Sequence, residues 1–138
     1  MIGAIADIAT AIAAFLAFVA ILLARAQLKA QSEATALGIY HRYLNLAMEH
    51  PRFAQPNYKE LSAHRGSELF TQYEWFVSSM LYACEAVLVV FPKREDWMEG
   101  ITAQLRYHCE YLSSKDFVLV REHWNDQLLA LVDQVIAE

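Results

Sequence analysis

Few side chains in this sequence could do acid–base or nucleophilic chemistry, and most of them fall in its second half. Glu85 is the one charged residue between Trp75 and Phe91, the most apolar stretch outside the N-terminus. A carboxylate in such surroundings needs a partner. His108 falls on the apolar stripe of a later helix, with Arg106 two residues before it. Pairing Glu85 with His108 or Arg106 would satisfy both partners. It would give either a general acid–base pair with displaced pKa values or a structural ion pair that fixes helix register.

Cys84, Cys109 and His108 raise the question of a thiol nucleophile. His108 and Cys109 are adjacent on a helix, so their side chains diverge by about 100° and cannot form the pair with each other. Cys84 would have to meet His108 across two helices. The plainer reading is that a buried free cysteine acts as a small hydrophobe. Two cysteines this far apart in sequence suggest neither a disulfide framework nor a zinc site.

No metal or cofactor is expected. A di-iron bundle needs Glu-x-x-His on two helices, and the sequence has none. Glu60 and His64 share a helical face, but one such pair is weak. There is no glycine-rich phosphate loop, nucleophile elbow or HExxH helix. Arg52, Phe53, Tyr58 and His64 lie in a long proline-containing connection. They read either as a partner-binding surface or as a packed loop pinned by its aromatic residues.

The elements that must position these residues are helical. Glycine and proline number only 4 and 3 in 138 residues, too few for the turns of a sandwich or barrel. The 17 aromatic residues argue against disorder. The first 24 residues hold a single charge, Asp7, so the rest carries 11 basic and 15 acidic residues. Its basic residues are scattered, which argues against a nucleic-acid partner.

Ile8 to Ala24 contains no charge, and Ile2 to Ala6 extends the apolar run past Asp7. A helix needs roughly 20 such residues to cross a bilayer. Residues 1–24 therefore read as a transmembrane anchor. A cleaved signal peptide fits less well, because the positive n-region is missing and the apolar core is too long. Arg25 and Lys29 follow the span, and positive flanks stay inside, which predicts an inner-membrane protein with its N-terminus outside. Ala9, Ala13 and Ala17 form one small-residue row, and Ala6, Thr10 and Ala14 another. Such rows either let helices associate in lipid or reflect the abundance of alanine in spans.

Residues 25–138 read as a cytoplasmic helical domain, with 25–36 as a helical stalk. The first helix continues to His50-Pro51, with Leu28, Thr35, Ile39, Tyr43 and Leu46 on one face. Ser67 caps a second helix over Glu68–Phe91. That helix is apolar nearly all round, so it is central in a core or in a membrane. Glu85 near its middle, and Pro92-Lys93-Arg94 after it, argue against a second span. A third helix starts near Asp96 and runs to about Leu112, with Trp97, Ile101, Leu105, His108 and Leu112 in a stripe. A fourth carries Trp124, Leu128, Leu131 and Val135 on one face. Phe117 to Val120 is its first turn or a separate short helix. The expected fold is all-α: a span followed by a small up-and-down bundle of about four helices.

This layout resembles uncharacterised bacterial single-span membrane proteins with a helical domain of unknown function. The residues that carry the resemblance are the span, Tyr40 to Ala47 with His50-Pro51, Gln72 to Phe76, and Cys84-Glu85. It implies no activity and no site residue. Two functional expectations follow from the sequence. One is a membrane-anchored interaction or adaptor module, self-associating through its span or docking a protein partner. The other is a small enzyme or ligand sensor with a polar pocket near Glu85 and His108.

Overall fold

The computed structural model describes every residue, Met1–Glu138, and the chain is all-helical. Eight α-helices follow in order: α1 Ile2–Glu49, α2 Pro51–Ala54, α3 Tyr58–Ser62, α4 Glu68–Val90, α5 Glu95–Arg106, α6 Cys109–Leu112, α7 Lys115–Val118 and α8 Asp126–Ala137. A 3-10 turn, Arg121–His123, precedes α8. The four long helices are those the periodicity predicts. The other four are single turns.

Two compact units divide the chain, Met1–Thr35 and Ala36–Glu138. The first is one helix. Its large apolar side chains, among them Ile5, Phe15, Phe18 and Leu23, are exposed. Its hydroxyls bond back along the helix: Thr10 Oγ1 donates to the Ala6 carbonyl at 2.8 Å, and Thr35 Oγ1 to that of Gln31 at 2.8 Å. The uncharged polar groups of the apolar segment are thus satisfied without outside partners.

The second unit is built around α4. Tyr73, Phe76, Val77, Met80, Leu81, Cys84, Val87 and Leu88 are all buried. Around it pack Ile101 and Leu105 of α5, Tyr111 and Leu112 of α6, Phe117 of α7, and Leu128, Val132 and Val135 of α8. From α1 the fully buried contributions are Ala36 and Tyr43. Of the expected α1 face, Tyr43 is buried and Ile39 and Leu46 pack against the core, whereas Leu28 and Thr35 are exposed.

Short polar side chains set the starts of the helices. Asn57 Oδ1 accepts from the Glu60 N–H, Ser67 Oγ from Phe70, Ser114 Oγ from Phe117, and Asn125 Oδ1 from Leu128 at 2.8 Å. Gly66, at φ 80, turns the chain into α4, a conformation that disfavours side chains.

The structure departs from the expected third helix at Tyr107–His108. His108, at φ −115 and ψ 14, leaves helical geometry and splits the segment into α5 and α6. No proline or glycine marks this break. The His108 ring packed into the core holds it. Phe117–Val120 gives a separate turn, α7, and Trp124 precedes α8.

Asn125→Ala removes the α8 cap and should cost about 1 kcal/mol. Leu128→Ala, one turn further on and fully buried, should cost about 2–5 kcal/mol. Denaturant melts of both variants check this order.

Candidate functional site

The deepest polar feature of the second unit is His108. It is 1 % exposed and sits at the α5–α6 break. Its ring stacks on Tyr73, with centroids 5.8 Å apart, and lies 6.0 Å from Phe76, both on α4. Nδ1 and the Tyr73 hydroxyl are 3.0 Å apart, a hydrogen bond whose direction depends on the tautomer. Nε2 is buried and has no partner. If the Tyr73 hydroxyl donates, the stranded group is an Nε2–H. If Nδ1–H donates, the stranded groups are the Nε2 lone pair and the Tyr73 proton. Either arrangement costs about 1–3 kcal/mol.

Burial lowers the His108 pKa to about 4, with no charged neighbour contributing. The imidazole is therefore neutral near pH 7. Burial also raises Tyr73 and Tyr111 well above the usual tyrosine range and pushes the Cys84 thiol up to about 12. Cys84 stays a thiol, as a small core hydrophobe does. This is an aromatic, low-dielectric core in which the His108 Nε2 lacks a partner.

The expected meeting of Glu85 with His108 or Arg106 does not form. Glu85 is half-buried at the edge of α4, where its Oε2 accepts from the Asn125 N–H at 3.5 Å, just ahead of α8. A carboxylate there favours the positive N-terminal end of α8. Arg106 lies on the surface and holds Glu138 through two hydrogen bonds of 2.6 and 2.8 Å. The partner that sequence reasoning missed is Tyr73. In the sequence it reads as one more aromatic residue of an apolar face, and nothing marks its hydroxyl.

The loop candidates separate into two kinds. Phe53 is buried against Tyr73 and Phe76, and Tyr58 packs on Tyr111. Both pin the connection to the core. Arg52 pairs with Glu60 at 2.6 Å on the surface, and His64 is exposed. The Tyr58 hydroxyl accepts from Arg65, which also pairs with Asp116 at 3.0 Å. No group of three or more His, Cys, Asp or Glu side chains converges anywhere. In the apolar segment of α1, Ala6, Ala9, Thr10, Ala13, Ala14 and Ala17 all lie exposed.

The surface of the second unit carries grooves, among them four that neither His108 nor Glu85 lines. The broadest, about 640 Å³, lies between the end of α1, α2 and the end of α5, lined by Leu44, Met48, Pro51 and Tyr107 among others. Two more run along α1 and α4 and share Leu46 and Ser79.

A histidine whose pKa is lower folded than unfolded stabilises the fold above the unfolded value, about 6.5, and loses that contribution as pH falls towards 4. The loss should be on the order of 3 kcal/mol across that interval. Stability curves measured from pH 7 to 4 should differ in slope, the wild type losing on the order of 3 kcal/mol more than His108→Leu as the pH drops. Parallel curves would contradict the buried neutral histidine. No protein-family model, characterised protein or solved structure matches the chain, so its own residues carry the functional reading.

Proposed function

We propose that this chain is a membrane-anchored interaction module, with residues 1–24 in the inner membrane and the helical unit on the cytoplasmic side. The observation that carries this reading is the first unit. Its helix is apolar along Ile2–Ala24, and none of that stretch is covered by protein. A helix of 23 residues rises about 35 Å, enough for the hydrocarbon layer. Water is the wrong solvent for such a surface, and lipid is the right one. Asp7, its one charge, lies near one end, where a carboxylate reaches the headgroups at low cost. Arg25 and Lys29 at the other end set the orientation.

The α4 helix is long and apolar enough to span as well, yet half of its most apolar window is buried inside the protein. Its interior partners on α5, α6 and α8 supply what a membrane would otherwise supply. Partly apolar grooves that face solvent along α1 and α4 support a role in docking. The partner is a protein or a second copy of the chain. The resemblance to uncharacterised bacterial single-span proteins belongs to the same reading.

The test is fractionation. The full chain should stay in the membrane pellet through alkaline carbonate extraction, and a C-terminal tag should be cut by protease only after the cytoplasmic face is opened. Recovery in the carbonate supernatant would refute the anchor. Cleavage of the tag in sealed cells would refute the orientation.

A further inference from the structure

From Gln72 to Val89 the solvent side of α4 is an uncharged strip, with Glu68, which accepts a hydrogen bond from Gln72 at 3.2 Å, at its start. Gln72, Trp75, Ser79, Tyr82, Ala86 and Val89 recur at intervals of three and four residues, the spacing of a coiled-coil seam. Between Gln72 and Val89 every other residue is buried or half-buried. Trp75, Tyr82 and Val89 are 70, 58 and 65 % exposed. Single exposed apolar residues are ordinary, whereas a contiguous row of them marks an interaction face. The two grooves of about 430 and 290 Å³ between this strip and α1 continue the same face.

We infer that the strip is covered by the same strip of a second copy, the two α4 helices lying parallel about a two-fold axis. The seam itself supports the pairing. Its large side chains, Trp75, Tyr82 and Val89, alternate with Gln72, Ser79 and Ala86. In a parallel pair each layer meets its own counterpart. The small Ser79 and Ala86 layers leave room for the Trp75 and Tyr82 rings to stack across the axis.

Charge at the margins points the same way. Arg42, exposed on α1 beside Tyr82, makes no ion pair within its own chain. Glu85 stands at the opposite margin of the strip, held by one long hydrogen bond. A parallel pair brings Arg42 of each copy towards Glu85 of the other, whereas an antiparallel pair opposes Arg42 to Arg42. Direction of the chain adds a third argument, which rests on the proposed anchor. The Ile39–His50 stretch of α1 runs antiparallel to α4, since Ile39 and Arg42 flank Tyr82, while Leu46 and His50 flank Gln72 and Trp75. A two-fold axis along α4 carries the Ala36 ends of both copies the same way, an arrangement compatible with two chains anchored in one bilayer.

Cysteine crosslinking of the full chain in native membranes tests the inference, in a Cys109→Ser background. Ser79→Cys and Ala86→Cys should each yield a crosslinked dimer, and Ser113→Cys, away from the strip, should not. Adding Trp75→Ala and Tyr82→Ala should lower the Ala86→Cys dimer about tenfold or more, with helical content unchanged because both residues are exposed within one copy. Arg42→Glu should weaken crosslinking, and Glu85→Lys in the same chain should restore it. Monomer throughout, or a Ser79→Cys chain that crosslinks only to a Tyr82→Cys chain, would overturn the parallel pairing. A chain extracted by carbonate that still crosslinks at Ser79 refutes the anchor alone. A membrane-held chain that stays monomeric refutes the pairing alone.

Discussion

Apolar surface has to leave water, and this chain carries more of it than its folded unit can hide. Two helices are apolar enough to cross a bilayer, and they meet opposite circumstances. The α4 helix lies under α5, α6, α8 and the end of α1, with ten of its side chains buried. The Ile2–Ala24 part of α1 has no protein cover. Eleven large apolar side chains between Met1 and Leu23 stand exposed. Each is worth about 1.5–3 kcal/mol on leaving water, so the group is worth on the order of 15–30 kcal/mol. That exceeds the 5–15 kcal/mol or so by which domains are stable. No rearrangement of the second unit can offset it, because its core is already filled.

Within the second unit the same constraint explains an unusual choice. The core around α4 is aromatic, with Tyr43, Phe53, Phe70, Tyr73, Phe76, Tyr111 and Phe117 buried together. Such rings fill volume efficiently but bring hydroxyls that need partners. Tyr43 finds Gln104 Oε1 at 2.8 Å. Tyr73 finds His108, and the ring that answers it has to leave helical geometry to do so. One hydrogen bond thus joins α4 to the α5–α6 corner and leaves Nε2 stranded. At neutral pH the uncharged imidazole packs at the cost of its stranded Nε2, and in acid the added cost of charging a buried ring makes the contact a larger liability.

Much of this fold was legible in the sequence, because its long helices announce themselves by period. Ser67 before Glu68, Pro51 after His50 and Pro92 after Phe91 set boundaries by local chemistry alone. The break at His108 was not legible, since it answers a tertiary contact and no residue near it breaks helices by nature. The same reason hid the fates of Glu85 and Arg106. Sequence placed Glu85 in an apolar run, but the angle about the helix axis decides burial, and that angle puts it at a margin beside Asn125. Arg106 found Glu138, 32 residues on, in a pairing no spacing rule reveals. The Trp75, Tyr82 and Val89 row was present in the sequence as a seven-residue repeat. It stayed hidden because the rest of α4 is equally apolar, and only the packing shows which face is left open.

The proposed anchor and the proposed pairing of the open strip assign one apolar surface to lipid and one to another helix. The first surface is the more fundamental, since placement, orientation and local concentration all follow from it. Sedimentation of the purified full chain without detergent tests it most directly. The account predicts heterogeneous aggregates that resolve into a uniform species only when detergent or lipid is supplied. A single soluble species in plain buffer, with residues 1–24 intact, would contradict it.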